Sequence, residues 1–156
     1  MTTKKKIYIV ASWVLVIICM GIIFSLSAQN GEESSQLSSS FLTALLERLG
    51  LTINEAMLRN CAHCLEFMGL SVFMFNAVYV TFETKLLPII AFAGTVIYAI
   101  TDEIHQIFVP DRAFQLSDIL IDSTGALIGV ITSLIILKIM LIIKERGIKN
   151  GSIKTI

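Results

Sequence analysis

Residues 101–129, TDEIHQIFVPDRAFQLSDILIDSTGALIG, crowd Asp102, Glu103, His105, Gln106, Asp111, Arg112, Asp118 and Asp122 into one short stretch. A histidine beside carboxylates can give or take a proton near neutral pH. His105, assisted by Asp102 or Glu103, is the first acid/base candidate. A second set stands at Arg59, His63 and Glu66, whose i, i+4, i+7 spacing puts all three on one face of a helix. His63 with Glu66 is the second acid/base candidate. Arg59 and Arg112 could hold a phosphate or carboxylate through paired hydrogen bonds, with Gln106, Asp118 and Asp122 completing the contacts.

Other chemistries are less well supported. His63-x-x-Glu66 resembles the inward Glu/His spacing of metal-binding helical bundles, and Asp102, Glu103 and His105 could add ligands. Cys61 and Cys64 flank His63, but one C-x-x-C without a second pair is a weak zinc or redox signal. Such cysteines pack as small apolar residues. The chain is therefore read without a metal site, and the residues name no cofactor. There is no G-x-S-x-G, H-E-x-x-H or phosphate-cradling glycine loop, and the serines of residues 34–40 have no base at a fixed spacing.

The surroundings explain why these charges matter. Two long apolar runs, 86–99 and 126–143, enclose the 101–129 stretch. Ionisable groups near lipid are rare, face protein or water, and usually mark function. The 156-residue chain is 55% hydrophobic with a mean hydropathy of +0.82, which fits a small integral membrane protein. Twelve basic residues balance twelve acidic ones, so bulk charge excludes nucleic acid as a partner. Three cysteines, with Cys19 deep in an apolar run, imply no disulfide scaffold.

Hydropathy divides the chain into four spans, at about 7–26, 57–82, 86–106 and 117–143, each near the ~20 residues that cross a bilayer. The expected fold is all-α, an integral membrane four-helix bundle in one domain, 1–145, with a basic tail, 146–156. Lys4, Lys5 and Lys6 before the first run also fit a signal peptide. The run is longer than the ~7–15 apolar residues of one, and an uncleaved helix is the better reading. Residues 25–55 form a polar loop, with an interfacial amphipathic helix near 40–49. Pro88 falls in a first helical turn, where proline is tolerated, and Ser117 can cap the fourth helix. The stripe Asp118, Asp122, Gly125, Gly129 pairs an acidic top with small residues that allow close helix packing; Gly94 and Tyr98 grade the third span similarly. With four spans, Lys4, Lys5, Lys6, Lys85, Lys144, Arg146, Lys149 and Lys154 share one side, which the positive-inside rule makes cytoplasmic along with both termini. The polar ends of spans two, three and four then face outward. Topology gives depth and not rotation, so contact between these clusters is left open.

Three motifs carry a family resemblance. D-E-I-H-Q-I-F-V-P-D-R with S-D-I-L-I-D-S-T-G-A-L-I-G, at 102–129, is joined by F-S-L-S-A-Q-N-G-E-E-S-S at 24–35 and R-N-C-A-H-C-L-E-F at 59–67. Together and in order they resemble the VanZ-like family, named for a membrane protein linked to resistance to teicoplanin, a lipid-bearing glycopeptide antibiotic. Asp111 stands where the family usually has glycine, and Phe67 where it often has tyrosine. The resemblance implies four spans, adds Gln29 to the site, and suggests an envelope role by analogy.

The resulting reading is a multi-pass protein of a bacterial cytoplasmic membrane. Its outward polar site would bind, and could modify, a lipid-linked cell-wall precursor or another envelope lipid, with a role in glycopeptide and lipoglycopeptide susceptibility. Two alternatives stand beside it. One is a non-catalytic interaction protein whose buried charges lock helix packing. The other is a small transporter, disfavoured because the inner halves of the spans are almost wholly apolar. Neither the reaction nor the oligomeric state follows from the residues.

Overall fold

The computed structural model describes residues 2–28, 55–110 and 112–153, with the side chains of 55, 56 and 148–153 excepted. Four helices account for almost all of them: α1 (Thr3–Ser27), α2 (Glu55–Thr81), α3 (Leu87–Gln106) and α4 (Leu116–Ile153). No strand occurs among the described residues. Each helix is long and apolar enough to cross a membrane, and a helix satisfies its own backbone hydrogen bonds, as a segment in lipid must. The expected all-α, four-span architecture is the one observed. Gln29, Asp111 and the amphipathic stretch 40–49 lie outside the described residues.

Local sequence sets the helix ends. The Thr2 hydroxyl accepts from the Lys5 N–H at 3.4 Å and caps α1. Pro88 sits in the first turn of α3, where its missing N–H costs nothing. The start of α4 differs from expectation. The helix begins at Leu116, so Ser117 lies inside its first turn and its hydroxyl donates to Asp118 Oδ1 at 3.1 Å instead of capping. At its far end α4 runs to Ile153 instead of stopping near 143. Lys144, Glu145 and Arg146 all favour helix, and Gly147 does not terminate it.

Helix α2 is the hub and touches the other three, most extensively α4. Between lipid-facing helices association comes from close packing and hydrogen bonds, since lipid is as apolar as leucine. The G-x-x-x-G of Gly125 and Gly129 provides the packing. A methyl group at Gly125 would collide with the carbonyl oxygen of Cys64, and one at Gly129 would stand 2.5 Å from the Met68 carbonyl oxygen. The Ser71 hydroxyl donates across the same seam to the Ala126 carbonyl at 2.8 Å. On the other side of α2, Asn76 donates to Ser12 at 3.0 Å and Trp13 donates to Thr81 at 3.0 Å. Phe67, Leu70, Val16 and Ile23 fill one apolar core, and Phe75, Val78, Ala91 and Val130 the next. Large side chains such as Ile17, Ile97, Leu120 and Ile135 remain exposed, as lipid-facing residues must.

Candidate functional site

The C-terminal turns of α3 carry Asp102, Glu103 and Gln106, each 2% exposed or less. The i, i+1, i+4 spacing turns them together into the bundle. Asp102 Oδ2 accepts from the Ser27 hydroxyl of α1 at 2.7 Å and from Gln106 Nε2 at 3.5 Å. Gln106 Oε1 in turn accepts from Arg112 Nη1 at 3.4 Å. Glu103 Oε2 accepts the backbone N–H of Gln115 at 3.0 Å, which ties the end of α3 to the residue before α4.

The opening turns of α2 and α4 meet the same region. Arg59 Nη2 lies 3.7 Å from Asp118 Oδ2, and His63 Nδ1 lies 3.5 Å from Asp122 Oδ1. At these separations neither is a hydrogen bond; the first is an ion-pair contact, and the second is one whenever His63 is protonated. Glu66 is within electrostatic reach of His63, Asp102, Asp122 and Arg112, and Glu103 of Asp118, Asp122 and His63. Depth and rotation therefore agree, and the polar ends of three helices form one cluster, joined by Ser27 from the fourth.

His105 takes a different position from its neighbours. Its ring stacks on Phe24 of α1, with centroids 4.1 Å apart and planes 36° apart. Asp102 is engaged by Ser27 and Gln106, and Glu103 by Gln115, and among the described residues the histidine within ion-pair distance of a carboxylate is not His105. The imidazole that faces a carboxylate is His63, and that carboxylate is Asp122 of α4. Ser27 and Phe24 were not singled out from the sequence. Both lie in the F-S-L-S-A-Q segment that carries the family resemblance, which was the one available signal.

The charge balance of this end is unequal. Among the described side chains it holds five carboxylates, Glu66, Asp102, Glu103, Asp118 and Asp122, against the guanidiniums of Arg59 and Arg112. Asp102 Oδ1 and Glu103 Oε1 are sealed from solvent and accept no hydrogen bond from a described residue. Arg112, in the loop between α3 and α4, has its pKa drawn down from the ordinary value by burial first and by the nearby Arg59 second. Asp118, Glu103 and Asp102 oppose the shift, and an arginine so placed remains charged. Chemically, a carboxylate facing one nitrogen of an imidazole orients it and leaves the other nitrogen for proton transfer. Two guanidiniums nearby can bind an anion.

A model of the VanZ/LLP1 family matches residues 12–138, most of the chain and every described member of this cluster. The chain belongs to the VanZ/LLP1 family. No curated protein and no solved structure matches it. In this VanZ/LLP1 chain Phe67 is fully buried and packs against Tyr98 at a centroid distance of 6.2 Å. The Tyr98 hydroxyl donates to the Met20 carbonyl at 2.6 Å, so the phenol nearest Phe67 is committed to joining α3 to α1.

Proposed function

We propose that this VanZ/LLP1 protein binds an anionic cell-envelope molecule at the polar end of its bundle, with Arg59 and Arg112 as the anion-holding groups and His63–Asp122 as the acid/base pair. The membrane is a bacterial cytoplasmic membrane, the polar end faces outward, and the ligand class is a lipid-linked cell-wall precursor or related envelope lipid. Binding of this kind fits a role in glycopeptide susceptibility. The observation that carries the reading is that two arginines from different parts of the chain, Arg59 of α2 and Arg112 of the loop before α4, come within electrostatic reach of one another at this end, with the Arg59 side chain still 36% exposed. Two like charges held close together repel, and an anion bound between them would offset that repulsion. The outward orientation draws support from Lys4, Lys5, Lys85, Lys144 and Arg146, which follow the positive-inside rule at the opposite side.

The test is complementation of an antibiotic-susceptibility phenotype by His63→Gln, His105→Gln and Arg112→Lys, with membrane abundance measured for each. The expected result is normal abundance with lost function for His63→Gln and Arg112→Lys. Retained function in both would favour the second reading, a non-catalytic interaction protein. That reading has its own support in the Arg59–Asp118 and His63–Asp122 contacts, which bind α2 to α4.

A further inference from the structure

At the end of the bundle away from the polar cluster, the start of α1, the turn between α2 and α3, and Leu137 of α4 enclose an open cleft of about 680 Å³. The polar cluster has no part in it. Its walls are divided by chemistry. Lys4, Lys5 and Tyr8 come from the start of α1, Glu83 and Thr84 from the turn between α2 and α3, and Val80, Leu87 and Leu137 supply the apolar surface. Tyr8, Tyr79 and Phe82 are 70%, 48% and 53% exposed around it, the amphipathic rings that collect where a span leaves the hydrocarbon. Beyond the cleft α4 continues alone, with Ile139, Met140 and Leu141 exposed.

We propose that this cleft binds one anionic phospholipid, its phosphodiester beside Lys4 and Lys5 and its acyl chain against Leu87 and Leu137. Basic pockets between membrane helices at the headgroup level hold anionic lipid heads in this manner. The two ammonium groups and one carboxylate among the lining residues leave a single net positive charge, which suits a monoanionic phosphodiester over a zwitterionic head. Lysines needed only to orient the first span would have no reason to border a cleft with an apolar wall. The proposal is independent of the function assigned to the polar end and of which leaflet the cleft faces.

Native mass spectrometry of the purified full chain, released from bilayers of equal phosphatidylglycerol and phosphatidylethanolamine, tests it. One retained phosphatidylglycerol is expected, preferred roughly fivefold, as one net positive charge at an anionic surface would give. Lys4→Gln with Lys5→Gln should remove the preference. Leu137→Trp and, separately, Val80→Phe fill the apolar wall with the lysines intact, and either variant that keeps its helical circular dichroism should lose the retained lipid. Absence of a preference in the unmodified chain overturns the proposal. So does retention unchanged by both wall variants, which would mean lysines attracting lipid at the open surface. Equal binding of chain-free glycerophosphoglycerol also overturns it, since a free phosphodiester would then suffice.

Discussion

The chemistry of this protein narrows, at the scale of single residues, to which histidine meets which acid. His63 and Asp122 come from different helices, and each is nearly sealed from solvent, at 10% and 2% side-chain exposure. Their contact gives the pair both an orienting and a stabilising part. A double-mutant cycle of His63→Leu and Asp122→Leu, followed by unfolding in detergent, should give a coupling of about 1 kcal/mol or more. Additive effects would mean that the two side chains do not interact. His105 makes the opposite demand. Its ring packs on Phe24, so His105→Phe preserves the stack and removes both nitrogens. That variant should reach the membrane at normal abundance and unfold near the midpoint of the parent. Whether it then complements separates a packing ring from a proton donor.

The decisive interface among the helices is α2 on α4. The two backbones meet where Gly125 and Gly129 face Cys64, Met68 and Ser71, and this close approach brings Asp118 and Asp122 to Arg59 and His63. Gly125→Ala should cost about 1–3 kcal/mol, because the added methyl meets backbone that cannot swing aside. Gly94→Ala on α3 is the contrast. Its nearest neighbour is the flexible Met74 side chain at 3.5 Å, so the better helix former should leave stability unchanged or raise it by about 0.5 kcal/mol. Thermal unfolding monitored by circular dichroism distinguishes the two. Gly125→Ala should also weaken complementation, since separating α2 from α4 parts the Arg59–Asp118 and His63–Asp122 contacts.

Taken as a whole, the molecule has a polar end and a basic end, and orientation links them to function. In a background with Cys19, Cys61 and Cys64 replaced by alanine, Phe114→Cys should react with a membrane-impermeant maleimide in intact cells. Lys144→Cys should react only after permeabilisation, and the reverse pattern would turn the proposed site toward the cytoplasm. Much of this plan was legible without coordinates. Four apolar runs of spanning length, Pro88 at a helix start and the G-x-x-x-G of Gly125 and Gly129 followed from hydropathy and local sterics, which depend on neighbours in the chain. The helical faces bearing Arg59, His63 and Glu66, and Asp118 and Asp122, were readable for the same reason. Pairing was not, because it depends on how each helix is rotated about its axis. Rotation is fixed by long-range contacts, the seam at Gly125 and Gly129 and the Ser71, Asn76 and Tyr98 bonds, that no local pattern encodes. The sequence by itself determined the spans, their polar ends and the family resemblance. Tertiary packing alone decided that Asp122 rather than Glu66 faces His63, that Ser27 holds Asp102, and that His105 lies against Phe24.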